Sequence, residues 1–300
     1  MTDSFRLYPD GNVFFCDDRV TEPISFAHVV DLHLPPRRDE AWPAKYRHAI
    51  QWWNIECGRS HQRLPGLLDA IKDAEVDFVF FGGDVLDYYD PETADYVVAL
   101  CRERDLTCHF QIGNHDYETD NIRYLTHEID FEVRDRQGGK LCDHWSMPGL
   151  YYAFDHHGAR FISLDTPYMK YSSGETGGEF DQRQVDWLVE QLKFDGPIIV
   201  FQHVPFNLPT VEHRMRAIWN GALACVTEDD QGRRVKSAIQ TCANLLGTFN
   251  GHTHMRSEDP IGTNYQFITG PGHSGHWRHV RIESGSPPKS MIVEGEPSVR

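Results

Sequence analysis

The sequence predicts an α/β fold in which two sheets pack on each other with helices outside, and three observations carry that expectation. Phe78-Val-Phe-Phe81 is a continuous apolar run, the pattern of a strand buried on both faces. Strand-like and helix-like stretches alternate through the first half of the chain, and hairpin-like pairs take over later. Five short apolar runs end in Asp, Asn or His, at the position where open α/β sheets bind ligands.

Taken in order, residues 1–24 carry one short apolar piece, Val13-Phe-Phe, which reads as an edge strand or an arm. Ser25–Leu32 reads as a strand. Asp31 and His33, two apart, are expected to project from one side of its end. His28 has the opposite parity and reads as a packed or surface histidine. Residues 34–60, with Trp52-Trp53, look like a long loop bordering a site. Leu64, Leu67, Leu68 and Ile71 mark one face of a helix. After Asp84, Asp90-Pro91-Glu92 reads as an N-cap followed by Pro at the first helical position, with the helix running to about Arg104. Thr107–Ile112 returns as a strand.

Residues 117–149 are polar and without clear period, so a surface excursion is expected there. Leu150–Phe154 and Arg160–Leu164 flank Asp155-His-His-Gly158 as a hairpin whose two histidines face solvent. Asp181-x-x-Gln184 resembles a capping box, opening a helix that buries Val185, Leu188, Val189 and Leu192. Strand Ile198–Gln202, a helical region over 210–245, and strands near 246–250, 262–269 and 277–282 complete the core. Met291-Ile-Val is a candidate last strand, and 284–300 reads as a tail. Without an internal repeat or a linker, residues 1–300 read as one domain.

Composition narrows the function. A net charge of −16 argues against a broad basic surface for nucleic acid or anionic lipid. Seven cysteines, odd in number and without C-x-x-C spacing, read as reduced thiols. No secretory leader and no membrane-length apolar run are apparent, so a cytoplasmic protein is expected, with homo-oligomers left open.

The strand-end residues are Asp31, His33, Asp84, Asn114, His203, His252 and His254. Such side chains bind hard-to-borderline divalent metals. Seven exceed the needs of one four-coordinate ion; with one bridging carboxylate, Asp84, they serve two ions at four each. Two dications at ~3.5–4 Å require an anionic bridge, and a bridging hydroxide would be a nucleophile for phosphoryl transfer.

The ordered set Asp31-Leu-His33, Gly83-Asp-Val-Leu-Asp87, Gly113-Asn-His-Asp116, His203-Val-Pro205 and Gly251-His-Thr-His254 resembles the calcineurin-like metallophosphoesterase superfamily. Tyr151–Thr166 and Phe180–Leu192 are similar to its bacterial cyclic-nucleotide and glycerophosphodiester phosphodiesterase branch. The resemblance implies a four-layer α/β-β/α sandwich of two mixed sheets with flanking helices, and a dinuclear site of Mn, Fe or Zn. It implies that Asp31, His33 and His254 hold one ion, that Asn114, His203 and His252 hold the other, and that Asp84 bridges. His115 would protonate the leaving group, oriented by Asp116, with Asp87 behind the ligands. Two departures stand out. Val204 replaces a second His found after the H-x-P ligand in many relatives, and His273-Ser-Gly-His276 occupies a loop that is small-residue elsewhere. Those loop histidines read as surface or structural. The implied activity is hydrolysis of a small phosphodiester. A phosphomonoesterase is the alternative in the same fold, and a non-catalytic scaffold is disfavoured because no motif residue is missing.

Overall fold

The computed structural model describes residues 5–7, 11–36, 59–87, 89–117, 131–166, 168–170, 176–178, 180–218, 224–226 and 228–285. Trp52-Trp53, most of the 34–60 loop, Met291-Ile-Val and nearly all of the tail lie outside those residues.

Strands β1 (Phe5–Leu7), β2 (Val13–Cys16), β3 (Ile24–Val29), β4 (Phe78–Gly82) and β5 (Cys108–Gln111) form the first sheet with a strand from the far end of the chain. That strand, β15 (Arg278–Glu283), lies between β2 and β3, antiparallel to β3. The second sheet has the order β13-β14-β12-β10-β7-β6. Its members are β6 (Tyr152–His156), β7 (Ala159–Leu164), β10 (Ile198–Gln202), β12 (Leu245–Asn250), β13 (Ser257–Ile261) and β14 (Asn264–Ile268). A small third sheet joins β8 (Tyr168–Lys170), β9 (Thr176–Gly178) and β11 (Ala224–Val226). Both large sheets are mixed, as expected. The N-terminal segment supplies an edge hairpin rather than an arm.

Strand parity builds the layers. Phe78 and Phe80 of β4 face the second sheet, while Val79 and Phe81 face helices. In β10, Ile199 and Phe201 face the first sheet, and Ile198 and Val200 face the other way. Helices α1 (Ser60–Asp73), α2 (Pro91–Glu103) and α3 (Phe131–Trp145) cover the first sheet, with Leu64, Leu68, Val97 and Leu141 buried against it. Helices α4 (Gln182–Gln191), α5 (Pro209–Ile218) and α6 (Asp230–Thr241) cover the second through Val185, Leu188, Val211, Val235 and Ile239. The order of layers is helix, sheet, sheet, helix.

Local chemistry fixes the ends of these helices. Asp90 accepts the Thr93 N–H at 3.0 Å and Pro91 opens α2, as its sequence predicts. Asp181 caps α4 by accepting the Gln184 N–H at 2.8 Å. The expected reciprocal box does not form: Gln184 Oε1 and Nε2 instead pair with the N–H and carbonyl of Asp165, in the buried turn after β7. Val189, assigned to the buried face of α4, is exposed. The excursion expected over 117–149 contains α3, whose apolar anchors Leu141 and Trp145 were too sparse to reveal a period.

Candidate metal centre

The parallel strands β3, β4 and β5 of one sheet, and β10 and β12 of the other, all end at the same crest of the sandwich. Each expected ligand lies just past one of those ends. Strand β3 stops at Val29, so Asp31 and His33 do not project from an extended strand. Both are left-handed, with φ of 52° and 46°, and His252 and His254 repeat the pattern at 70° and 52°. Asp84 is left-handed as well, at 51°. Five of the seven expected ligands thus occupy a conformation costing about 1–2 kcal/mol each for a non-glycine residue. Summed, that strain is comparable with the net stability of a whole domain.

Backbone bonds hold this geometry. Asp31 and His33 donate N–H to the carbonyls of Gly83 and Asp84 at 3.1 and 2.9 Å, and Gly251 donates to His203 at 3.0 Å. Glycine is required at two close approaches. A Cβ on Gly83, whose φ is +94°, would meet His203 Nδ1 at 2.5 Å, and one on Gly113 would meet Asp84 Oδ1 at 2.2 Å.

The side chains converge in overlapping groups: Asp31, His33 and His254; Asp84, His203 and His252; and His33, Asp87 and His115. Asp84 Oδ2 lies 3.1 Å from His203 Nε2 and 3.7 Å from His33 Nε2, between the two expected ligand sets, where a bridging carboxylate belongs.

These donors fit metal ions on chemical grounds. His203 Nδ1 lies 2.8 Å from the Gly82 carbonyl and must donate to it, which turns Nε2 toward the Asp84 carboxylate, where a proton or a metal ion can sit. His33 Nδ1 lies 3.2 Å from Asp87 Oδ1, and its Nε2 faces His254 Nε2 at 2.9 Å. Each of these contacts is satisfied either by a proton on one nitrogen or by a metal ion that replaces it, and the donor set of imidazoles and carboxylates suits a borderline dication. Asn114 Oδ1, buried and accepting no hydrogen bond, supplies a further donor.

The protein's own charges show the same demand. Burial favours a neutral Asp84, yet His203, His115 and His33 outweigh it and hold the carboxyl well below its usual range. Burial pushes Asp31 up to about 6. Burial would lower His203 and His115, but the Asp84 carboxylate, joined by Asp87 at His115, raises each to about 9.

His115 takes its orientation from Asp87, not from Asp116. Its Nδ1 lies 3.0 Å from Asp87 Oδ1. The Asp116 carboxylate instead receives the backbone N–H groups of Asp84, Leu86 and Gly113 at 2.9, 2.7 and 2.7 Å, tying the β4 and β5 loops together. Asp87 thus serves His33 and His115 at once. Of the two loop histidines expected to be surface or structural, His273 is not at the surface. It is 4% exposed and packs beside His254 and His33, whereas His276 is exposed. Nothing in the Gly270–Gly275 run signals this, because its contacts are made across the sheet. His28 is fully buried, and His156 and His157 are half-exposed at their turn, away from the centre.

No helix among the described residues is long and apolar enough to cross a membrane. A comparison with curated proteins gives no match. Among solved structures, a dimetal phosphatase from Danio rerio is similar, with TM-score 0.52 and 15% identity over 85% of this chain and 91% of the other. A purple acid phosphatase from yellow lupin (Lupinus luteus) is similar with TM-score 0.54 and 11% identity, over 97% of this chain and 62% of the other. These likenesses bear on the fold. Residues 24–256 match the calcineurin-like phosphoesterase family over most of the chain, and the chain belongs to that family.

Proposed function

We propose that this phosphoesterase hydrolyses small phosphodiesters, of the cyclic-nucleotide or glycerophosphodiester type, with two divalent ions of Mn, Fe or Zn. The family depends on a dinuclear metal centre. The observation that carries the reading is Asp84 Oδ2 poised between His203 and His33, with the His115–Asp87 pair beside it. Asp31, His33 and His254 would hold one ion, and Asn114, His203 and His252 the other, with Asp84 shared. When bound, the ions supply the Lewis acidity that activates water and neutralises phosphoryl charge.

The chain's own residues do the rest. Burial disfavours a charged His115, but with no metal bound the Asp84 and Asp87 carboxylates favour its protonated form, and with Asp84 committed to the ions Asp87 would keep that role. Asp87 fixes Nδ1, which leaves Nε2 to carry the proton a departing alkoxide needs. Asp116 acts through the backbone: by gathering three N–H groups it sets the distance between the loops bearing Asp84 and His115. Alkoxides of nucleosides and glycerol are poor leaving groups, so a dedicated acid suits such substrates. The acidic surface suits small molecules better than nucleic acid.

The alternative, a phosphomonoesterase, uses the same residues, and both similar structures carry the name phosphatase. A panel of cyclic nucleotides, glycerophosphodiesters, aryl diesters and monoesters, assayed with metal-reconstituted protein, separates the two. The proposal expects kcat/KM for the best diester to exceed that for the best monoester by at least about tenfold, or ~1.4 kcal/mol in transition-state binding. The reverse order would replace it with the alternative.

A further inference from the structure

The crest holds one more histidine than the two ions and the leaving group account for. His273 lies in a short 3₁₀ turn, Gly272–Ser274, and its ring centroid is 5.2 Å from that of His254 and 6.0 Å from that of His33. Its Nδ1 is 3.0 Å from Ser274 Oγ, while its Nε2 is buried and has no hydrogen-bond partner. Such an atom is costly to leave unmatched, so its place beside a reaction centre needs a reason.

The ring is held in place by its backbone. Gly272 and His273 donate N–H to the carbonyls of Val30 and Asp31 at 2.7 and 3.0 Å. Arg63 Nη1, from α1, donates to the His273 carbonyl at 2.6 Å. The turn is therefore fastened to the segment that carries Asp31 and His33, and the imidazole is preorganised with it.

Coordination does not need this nitrogen. Asp31, His33, His254 and the shared Asp84 already offer four donors to their ion, the usual complement of a borderline dication. The leaving group does not need it either, because His115, whose ring is 4.6 Å from that of His33, serves that arm with Asp87. A phosphodiester has a second arm, which stays on phosphorus, and a monoester does not. We propose that His273 is a specificity-determining residue that hydrogen-bonds through Nε2 to the ester arm retained by the substrate. This inference rests on the reading of the site as a phosphodiesterase.

Two substitutions test it in the Mn²⁺-reconstituted protein. His273→Phe keeps a ring packed on His33 and His254 but deletes both nitrogens; His273→Gln returns an amide group near the Nε2 position. With metal content measured in parallel, His273→Phe should raise KM for bis(p-nitrophenyl) phosphate about tenfold or more. It should leave p-nitrophenyl phosphate within about twofold, and His273→Gln should recover most of the diester loss. Equal losses on both esters accompanied by loss of metal would make His273 a packing residue, and unchanged kinetics on both would remove it from the site. Binding of methyl methylphosphonate and of inorganic phosphate, read by calorimetry, reports the contact without turnover. If the wild-type protein prefers monoesters, the functional reading fails. The contact is then judged by binding alone: a selective loss of the methylphosphonate in His273→Phe supports it, and unchanged affinity for both ligands overturns it.

Discussion

Phe26 and Asp31 lie five residues apart on one stretch of chain and do opposite work. Phe26 sits in extended strand, stacks on Phe78 at 5.2 Å, and meets Phe161, Phe201 and Phe249 edge-on at 5.7 to 5.8 Å. Asp31 is equally buried but left-handed, carries a carboxylate, and is surrounded by other titratable groups. The space between the sheets is mostly apolar and its strands are extended, and the crest above it is polar and strained. Stability and function are therefore kept in different layers. The aromatic layer stabilises a frame stiff enough to hold five left-handed candidate ligands, and the crest uses part of that stability to preorganise charge.

The division is most exposed at Asp84, which stands between the two ligand sets. Asp84→Ala should lose both metals and lower activity on the order of 10³-fold or more, while Asn114→Ala, which deletes a donor from one set, loses less. Metal content measured beside the rates decides it: unchanged occupancy in the Asp84 variant would show that it does not bridge.

His115→Ala comes next and separates chemistry from architecture at the crest. It should keep both metals and lose about 10²- to 10⁴-fold on alkyl diesters, with far less lost on p-nitrophenyl esters, whose leaving group needs little help. Equal losses on both substrates, with falling occupancy, would reduce His115 to packing of the Asn114 loop.

The interior should respond in stability rather than in rate. Phe26→Ala removes a ring that four others contact and should cost about 3–5 kcal/mol in chemical unfolding. Per folded molecule, kcat should stay near wild type. A variant that keeps its stability but loses its metal would erase the distinction between frame and crest.

The smallest effect is in acid. Burial lowers His109 to about 4, from an ordinary 6.5, and also pushes His28 well below that ordinary value. A histidine whose folded pKa is depressed contributes full stability above its unfolded value, so stability should fall as pH drops from about 6.5 toward 4. His109→Phe, which preserves an aromatic ring against Phe154, should flatten that decline in metal-free protein. Parallel declines in the two proteins would exclude His109 as a contributor.

Much of the crest's geometry was legible in the sequence, because each candidate ligand follows a strand whose apolar run is visible and whose end falls at a Gly or a polar residue. The spacing in Asp31-Leu-His33 was right for the wrong reason: extended period two placed both side chains together, whereas the structure does so with two left-handed residues. Contacts between segments distant in sequence were not legible. Asp116 follows His115 directly, so adjacency suggested a pair, yet the fold turns its carboxylate onto three backbone amides and brings Asp87 to the imidazole instead. Gln184 had the spacing of a capping box, but the turn at Asp165 needed its amide more. His273 entered the centre only because β15 returns from the end of the chain to lie beside β3, a topology that no local pattern encodes.

Everything proposed for the crest depends on its being one centre built for two ions that share Asp84. Elemental analysis of protein reconstituted with Mn²⁺, performed alongside turnover of the best phosphoester, reads that stoichiometry. Two ions per chain are expected at full activity, with activity following the second equivalent of metal. Full activity with a single ion per chain at saturation would rule the shared centre out.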